Sequence, residues 1–332
     1  MRMPRLGHHE RMPAAPLPED LGLRFRVADA LAAGVPPARL RAGDLEAPFH
    51  GVRSIPAATA PGGISVDRNG EARGELEAEH LRRAWEYAMV AAEHSCFSHV
   101  TAAVAYGLPI PPHLLSGRGI DVAVSAPHRL PRGRGVRGHQ VKARQVRIIV
   151  DEHTGLRLTD PASTWATLGS VLTDPYDLVA AGDAVVRQWR VDRPLATLDD
   201  LQAMICTGRR VGVPALRAAL PRIRTRSASR PETHSRLTLV DAGLPEPILN
   251  FDVFSSGIKV GCVDLAYPQW RIAIEYEGEH HLLDPVQWAR DIRRYERLAA
   301  AGWHVVRVTK AELFGQPRAF VNRVRSAIAA RS

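Results

Sequence analysis

Val263-Asp264-Leu265-Ala266-Tyr267-Pro268-Gln269-Trp270-Arg271-Ile272-Ala273-Ile274-Glu275-Tyr276-Glu277-Gly278 reads as strand, turn, strand, with three acids set inside apolar runs. Acids are depleted from strand interiors and seldom buried without a partner, so something cationic is expected to collect them. Period-two alternation places Val263, Leu265 and Tyr267 on one face of the first strand and Asp264 on the other. On the second strand Ile272, Ile274 and Tyr276 share a face, and Glu275 and Glu277 take the opposite one. Pro268 cannot supply the positive φ of a primed two-residue turn. A four-residue loop, Pro268 to Arg271, is therefore expected, and it sets Asp264 across from Glu275.

Like charges about 4 Å apart repel by roughly 1 kcal/mol in water and about 4 at the effective dielectric of a protein surface. Clustered carboxylates therefore raise a pKa or bind a cation. Oxygen-only ligands with open positions suit Mg²⁺ or Mn²⁺ rather than Zn²⁺. The competing reading is an acidic patch on a half-exposed hairpin that faces solvent.

Outward from this hairpin, residues 225–332 show the order α-β-β-β-α-β-α, which predicts an α/β domain. Helix Pro231–Ala242 opens it, and Ser229-Arg230-Pro231-Glu232 matches a capping box; the cap explains Glu232, and so does an active-site acid beside the hairpin. Beyond Gly278, His281 is a candidate to activate water, bind the metal or protonate a leaving group. On the next helix, Pro285–Ala301, the stripe Trp288, Ile292, Tyr295 and Ala299 predicts a core face. Arg290, Arg293, Arg294 and Arg297 form a separate stripe suited to a phosphate backbone, the alternative being a solvated face partnered by Asp291 and Glu296.

Asp264, the strand ending Glu275-Tyr276-Glu277-Gly278, His281, the helix carrying Arg290-Asp291-Ile292-Arg293-Arg294, and the strand after Gly302 together resemble the PD-(D/E)XK nucleases. Within them the similarity is to the branch of the very-short-patch repair endonucleases. The resemblance spans residues 230–332 and implies that Asp264 and Glu275 bind Mg²⁺, with the Tyr276 carbonyl as a further ligand. It implies the helix acid in Glu232 and the accessory base in His281. Glu277 departs from the pattern, because it stands at the motif's lysine position. That branch also lacks the lysine and relies in part on histidine.

The 44 lysines and arginines outnumber the 35 acids, for a formal charge of +9 carried mostly by arginine. Arginine binds phosphate bidentately, so the excess leans toward nucleic acid. Cys96, Cys206 and Cys262 have neither disulfide-framework nor zinc-ligand spacing. Without a membrane-length apolar run or a signal-peptide core, the protein is expected to be soluble and cytoplasmic.

Residues 20–60 predict a winged helix-turn-helix: Ala30 permits close helix crossing, Gly34 takes the tight turn, Leu40 plugs the second helix, and Phe49–Ile55 forms the wing. Its DNA readers are Arg39 and Arg41. After a Gly-rich linker, Gly62–Gly74, residues 75–221 predict a mixed α/β middle domain, closed by a basic, Ser-rich hinge at Arg222–Arg230. Thr101-Ala102-Ala103 through Gly107-Leu108-Pro109, and Gly155 through Pro161, are similar to stretches of AbiEi-type antitoxins of abortive-infection systems. That resemblance implies DNA binding, autoregulation and a toxin partner. The chain is thus expected to be a DNA-binding, metal-dependent endonuclease, with a homodimer as one possible state. The alternative is a non-cleaving transcriptional regulator or antitoxin.

Overall fold

A computed structural model describes residues 15–56, 73–189, 191, 193–277 and 285–332, with the backbone alone for 285–291. The fold is mixed α/β, with sheets of two, five and four strands. Among the described residues no helix is long and apolar enough to cross a membrane.

At the front, β1 (Arg24–Arg26) leads directly into α1 (Val27–Ala32) and pairs antiparallel with β2 (Val52–Ser54). Phe25, Ala30, Val35 and Leu40 form a small core here, and Gly34 turns the chain at φ +84°. Of these, Ala30, Gly34 and Leu40 are the positions the sequence pattern picks out. The expected recognition helix, however, is a single 3-10 turn at Arg39–Arg41. Between Pro37 and Gly43 there are too few residues to offset the entropic cost of nucleating an α-helix.

The middle region runs α2 (Glu75–Ala88), β3 (Cys96–Phe97), α3 (His99–Tyr106), β4 (Ile120–Ser125), β5 (Val136–Val141), β6 (Ile148–Val150), β7 (Arg157–Thr159) and α4 (Pro161–Leu168). Three helices complete it: α5 (Pro175–Val185), α6 (Leu198–Cys206) and α7 (Val213–Ala219). The sheet order is β5-β4-β3-β7-β6. Asp160 caps α4 by accepting from the Ser163 amide at 2.7 Å, as the Thr159-Asp160-Pro161 sequence predicts. One hydrophobic core fills this region, and it reaches from Phe49 and Val52 to Ile223 and Leu237.

The last third is α8 (Arg230–Asp241), β8 (Ile248–Ser255), β9 (Ile258–Tyr267), β10 (Ile272–Glu277), α9 (Pro285–Ala300), β11 (His304–Thr309), α10 (Lys310–Gly315) and α11 (Pro317–Ala329). Its sheet runs β11-β10-β9-β8; β8, β9 and β10 are antiparallel, and β11 returns parallel to β10. Helix α9 lies between β10 and β11 in sequence, and parallel neighbours need such a crossover. Leu239 of α8 and Phe320, Val321 and Val324 of α11 pack with Leu265, Tyr267, Ile272 and Ile274. Leu298 of α9 packs with Val253, Ala266, Ala273 and Trp303 in a separate cluster.

Two expectations fail here. Val263 belongs with Ala266 and Ala273 rather than with Leu265 and Tyr267. The alternation breaks where Asn250 of β8 adopts φ +49°, so Leu249 and Phe251 also fall into different clusters. The apolar face of α9 is shifted as well: Leu298 is buried and Tyr295 packs beside it, whereas Ile292 and Ala299 are exposed, and the Trp288 side chain lies outside the described residues.

The Arg222–Arg230 segment is bonded on both sides rather than acting as a hinge. The Arg224 amide donates to Asp183 at 2.7 Å, the Gln188 amide to Thr225 O at 2.8 Å, and Arg226 to Asn250 O at 2.8 Å.

Candidate metal centre

The loop joining β9 and β10 is the four residues Pro268 to Arg271, a 3-10 turn closed by Arg271 at φ +47°. Tyr267 pairs with Ile272, Ala266 with Ala273 and Leu265 with Ile274. The pairing ends there, and Asp264 and Glu275 are the next residues along the two strands. Asp264 accepts a hydrogen bond from the Tyr276 amide at 2.9 Å, which ties its carboxylate to β10.

Glu232 enters from the first turn of α8, 6% exposed. Its Oε2 accepts from the Ala228 amide at 2.9 Å and from Asn250 Nδ2 at 2.7 Å, and its Oε1 accepts from Ser229 Oγ at 3.0 Å. Ser229 Oγ caps the Glu232 amide at 3.4 Å, while the carboxylate returns to the Ala228 amide rather than to that of Ser229, and it lies within reach of the Asp264 charge. Burial, then the charge on Asp264, pushes the Glu232 carboxyl up to about 7.

Glu275 is 3% exposed. Burial first and Asp264 second push its carboxyl up to about 8, against the pull of Arg294. Arg294 grips both its oxygens, with Nη1 to Oε1 at 2.9 Å and Nη2 to Oε2 at 2.8 Å. Nη1 also donates to Cys262 O at 3.0 Å. Arg294, expected on a phosphate backbone, thus has its side chain turned to the sheet in this structure. Arg293 and Arg297 lie exposed on α9, and the Arg290 side chain lies outside the described residues.

Glu277, at the end of β10, accepts from Tyr295 Oη at 2.7 Å and from Arg307 Nε at 2.6 Å. It joins a charge network with β11 rather than facing the cluster alone. His281 lies outside the described residues. At the front of the chain, Arg39 is held by Asp44 through two bonds of 2.9 and 2.8 Å, while Arg41 is exposed.

Sequence reasoning missed two members of the centre. Asn250 is 2% exposed and links Glu232 to the Arg226 carbonyl at 2.7 Å. Its one legible signal was a lone amide within the apolar run Ile248–Val253. The bond from Arg294 to Glu275 had no sequence signal, because four arginines on one helix are indistinguishable until the helix is rotated against the sheet.

A second group with metal-ligand character joins Asp174 and Asp177 of α5 to His234 of α8, their ligand atoms within 4.8 Å of one another. It borders a groove of about 590 Å³. His234 Nε2 lies 2.7 Å from Asp177 Oδ1, and Arg230 Nε donates to the same oxygen at 2.6 Å. Asp174 caps α5 through the Tyr176 amide at 2.8 Å. Asp177 is thus bonded to two cationic side chains, much as Glu275 is to Arg294; among the described residues Asp174, Asp177 and His234 have their ligand atoms this close together, and the acids around Asp264 do not.

No family model matches the chain, and no solved structure matches it. Two curated relatives from Mycobacterium tuberculosis are similar to it: "Uncharacterized protein Rv2248" of strain ATCC 25618 / H37Rv and "Uncharacterized protein MT2308" of strain CDC 1551 / Oshkosh. Each is 34% identical over 153 residues, which covers 42% of this chain and 56% of the relative. The chain thus spans about half the length of the curated relatives it matches.

Proposed function

We propose that the last third of the chain is a divalent-cation-dependent phosphodiester hydrolase acting on DNA. The observation that carries this reading is the placing of Asp264, Glu275 and Glu232 on two adjacent strands and a helix, with Asp264 tied to the Tyr276 amide next to Glu275 and its charge adding to the pKa rise that burial gives both glutamates. Three hard oxygen donors that repel one another suit Mg²⁺ or Mn²⁺. The order α8-β8-β9-β10-α9-β11, with β11 parallel to β10, supports the PD-(D/E)XK resemblance.

Asp264 and Glu275 would hold the ion, with the Tyr276 carbonyl as a further donor. Such an ion supplies Lewis acidity and lowers the pKa of a water molecule near the scissile phosphate. Glu232 changes protonation near neutral pH, which suits proton transfer. Asn250, Ser229 and the Ala228 amide orient it. The exposed Arg293 and Arg297 offer backbone phosphates their counter-charge.

The test is incubation of the full chain with supercoiled plasmid in Mn²⁺ or in EDTA. Nicking that requires Mn²⁺ and disappears in Asp264→Asn is expected. A wild type inert with both Mg²⁺ and Mn²⁺ would overturn the hydrolase reading.

One observation favours the alternative of a DNA-binding regulator that does not cut. Arg294 covers Glu275, and Glu277 is tied to Arg307 in place of a lysine. Salt-sensitive duplex binding without cleavage is the outcome that reading expects.

A further inference from the structure

We infer that Arg294 is a built-in counter-cation that holds Glu275 until a phosphate group of the nucleic acid draws it away, so that DNA and a divalent ion bind cooperatively. The inference rests on the reading of Asp264 and Glu275 as the ion's ligands.

The guanidinium takes one hydrogen from each of two nitrogens to the two Glu275 oxygens, at 2.9 and 2.8 Å. Each Glu275 oxygen keeps a lone pair beyond these bonds, but an ion that approaches it meets the like charge of the guanidinium at close range. The two partners differ in exposure: the Glu275 side chain is 4% exposed, and that of Arg294 is 24%. Arg294 is thus the solvent-facing member of the pair. Its stem crosses Gly261 of β9, where an added Cβ would lie 3.5 Å from Cγ and 3.6 Å from Cδ. Its guanidinium carbon stands 5.1 Å from the Tyr295 ring centre.

Neither partner leaves alone without loss. A buried carboxylate stripped of its cation is strongly disfavoured, more so with Asp264 beside it. The exchange is balanced when a divalent ion replaces the guanidinium at Glu275 and a phosphate replaces Glu275 at the guanidinium. Phosphate accepts the same bidentate fork as carboxylate. The exposed Arg293 and Arg297 lie on the same helix, where a backbone would run. Linkage is reciprocal, so the factor by which DNA tightens the ion equals the factor by which the ion tightens DNA.

The experiment measures Mn²⁺ binding to the full chain by calorimetry, with and without a phosphorothioate duplex that resists hydrolysis. Wild type, Arg294→Met and Arg294→Lys are compared, with thermal melts confirming that each is folded. Wild type is expected to bind Mn²⁺ on the order of tenfold more tightly when the duplex is present. Arg294→Met, which keeps the stem and removes the charge, should bind tightly without duplex and lose the dependence. Arg294→Lys retains the charge without the fork and should show reduced coupling, which keeps the test usable if the methionine variant fails to fold. If wild type and the folded Arg294 variants bind Mn²⁺ equally without DNA, the counter-cation role is overturned while the metal centre stands. If no variant binds Mn²⁺ under any condition, the metal centre itself is wrong and this inference falls with it.

Discussion

Arg236 of α8 donates to Asp183 of α5 at 3.3 Å, with only 1% and 2% of the two side chains exposed. Around this pair Arg236 also reaches Glu246 at 2.9 Å and the Arg222 carbonyl at 2.8 Å, while Asp183 accepts from Thr233 Oγ1 at 2.7 Å. The bond joins the middle helices to the helix that carries Glu232. Placement of the candidate catalytic acid therefore depends on a contact made outside its own sheet.

Arg236→Ala should destabilise the protein by about 3 to 5 kcal/mol, since it leaves Asp183 buried without its cation. Urea unfolding of the full chain measures this. A loss below about 1 kcal/mol, the scale of an exposed ion pair, would mean that the helices are held by apolar packing instead.

Stability in divalent-free buffer should fall as pH rises through the neutral range. Unfolded glutamates titrate near 4.5, whereas burial and the charge on Asp264 push folded Glu232 up to about 7 and raise folded Glu275 against the pull of Arg294. Between those limits the folded state binds more protons, so these two groups favour folding at the acid end and lose that advantage as pH increases. Asp264→Asn should flatten the decline and raise the melting temperature most at the alkaline end. Asparagine keeps an acceptor for the Tyr276 amide while removing the charge that adds to both shifts. Equal stabilisation at all pH values would argue against charge crowding as the cause.

Asn250 holds φ +49°, a conformation that asparagine tolerates and alanine resists. Asn250→Ala and Asn250→Gly both remove the bond to Glu232, but only alanine adds backbone strain. The alanine variant should therefore be the less stable, by about 1 to 2 kcal/mol. Equal stabilities in denaturant titrations would show that the backbone there relaxes.

Glu277→Lys should be unfavourable by itself, because Arg307 Nε lies 2.6 Å from the carboxylate. With Arg307 largely exposed, the cost is expected to be about 1 kcal/mol or less. Adding Arg307→Glu should recover it by reversing the pair. Recovery of less than half in a double-mutant cycle would place the cost elsewhere, with the lost Tyr295 bond the first alternative.

Much of the architecture was legible because local signals suffice for it. Strands at Ile258–Tyr267 and Ile272–Glu277 follow from alternation, and the length of their loop follows from Pro268. The pairing of Leu265 with Ile274, which leaves Asp264 and Glu275 as the next residues of the two strands, then follows from the loop length. The short strands β1, β3 and β7 were missed, for three or fewer residues carry no period. The expected reading helix at Arg39–Arg41 failed because spacing between small and apolar residues fixes a corner and not the length of the next element.

The sequence by itself determined the α-β-β-β-α-β-α order, apart from the short helix α10, and the four-residue loop between β9 and β10, since both depend on neighbours within one hairpin or one helical turn. Tertiary structure alone decided which arginine of α9 meets Glu275, that Asn250 bridges to Glu232, and that Arg222–Arg230 is fastened to α5 rather than hinged. Those outcomes depend on the rotation of a helix against a sheet and on the packing of distant segments. Such relations are set by the burial of whole faces, and no local pattern encodes them.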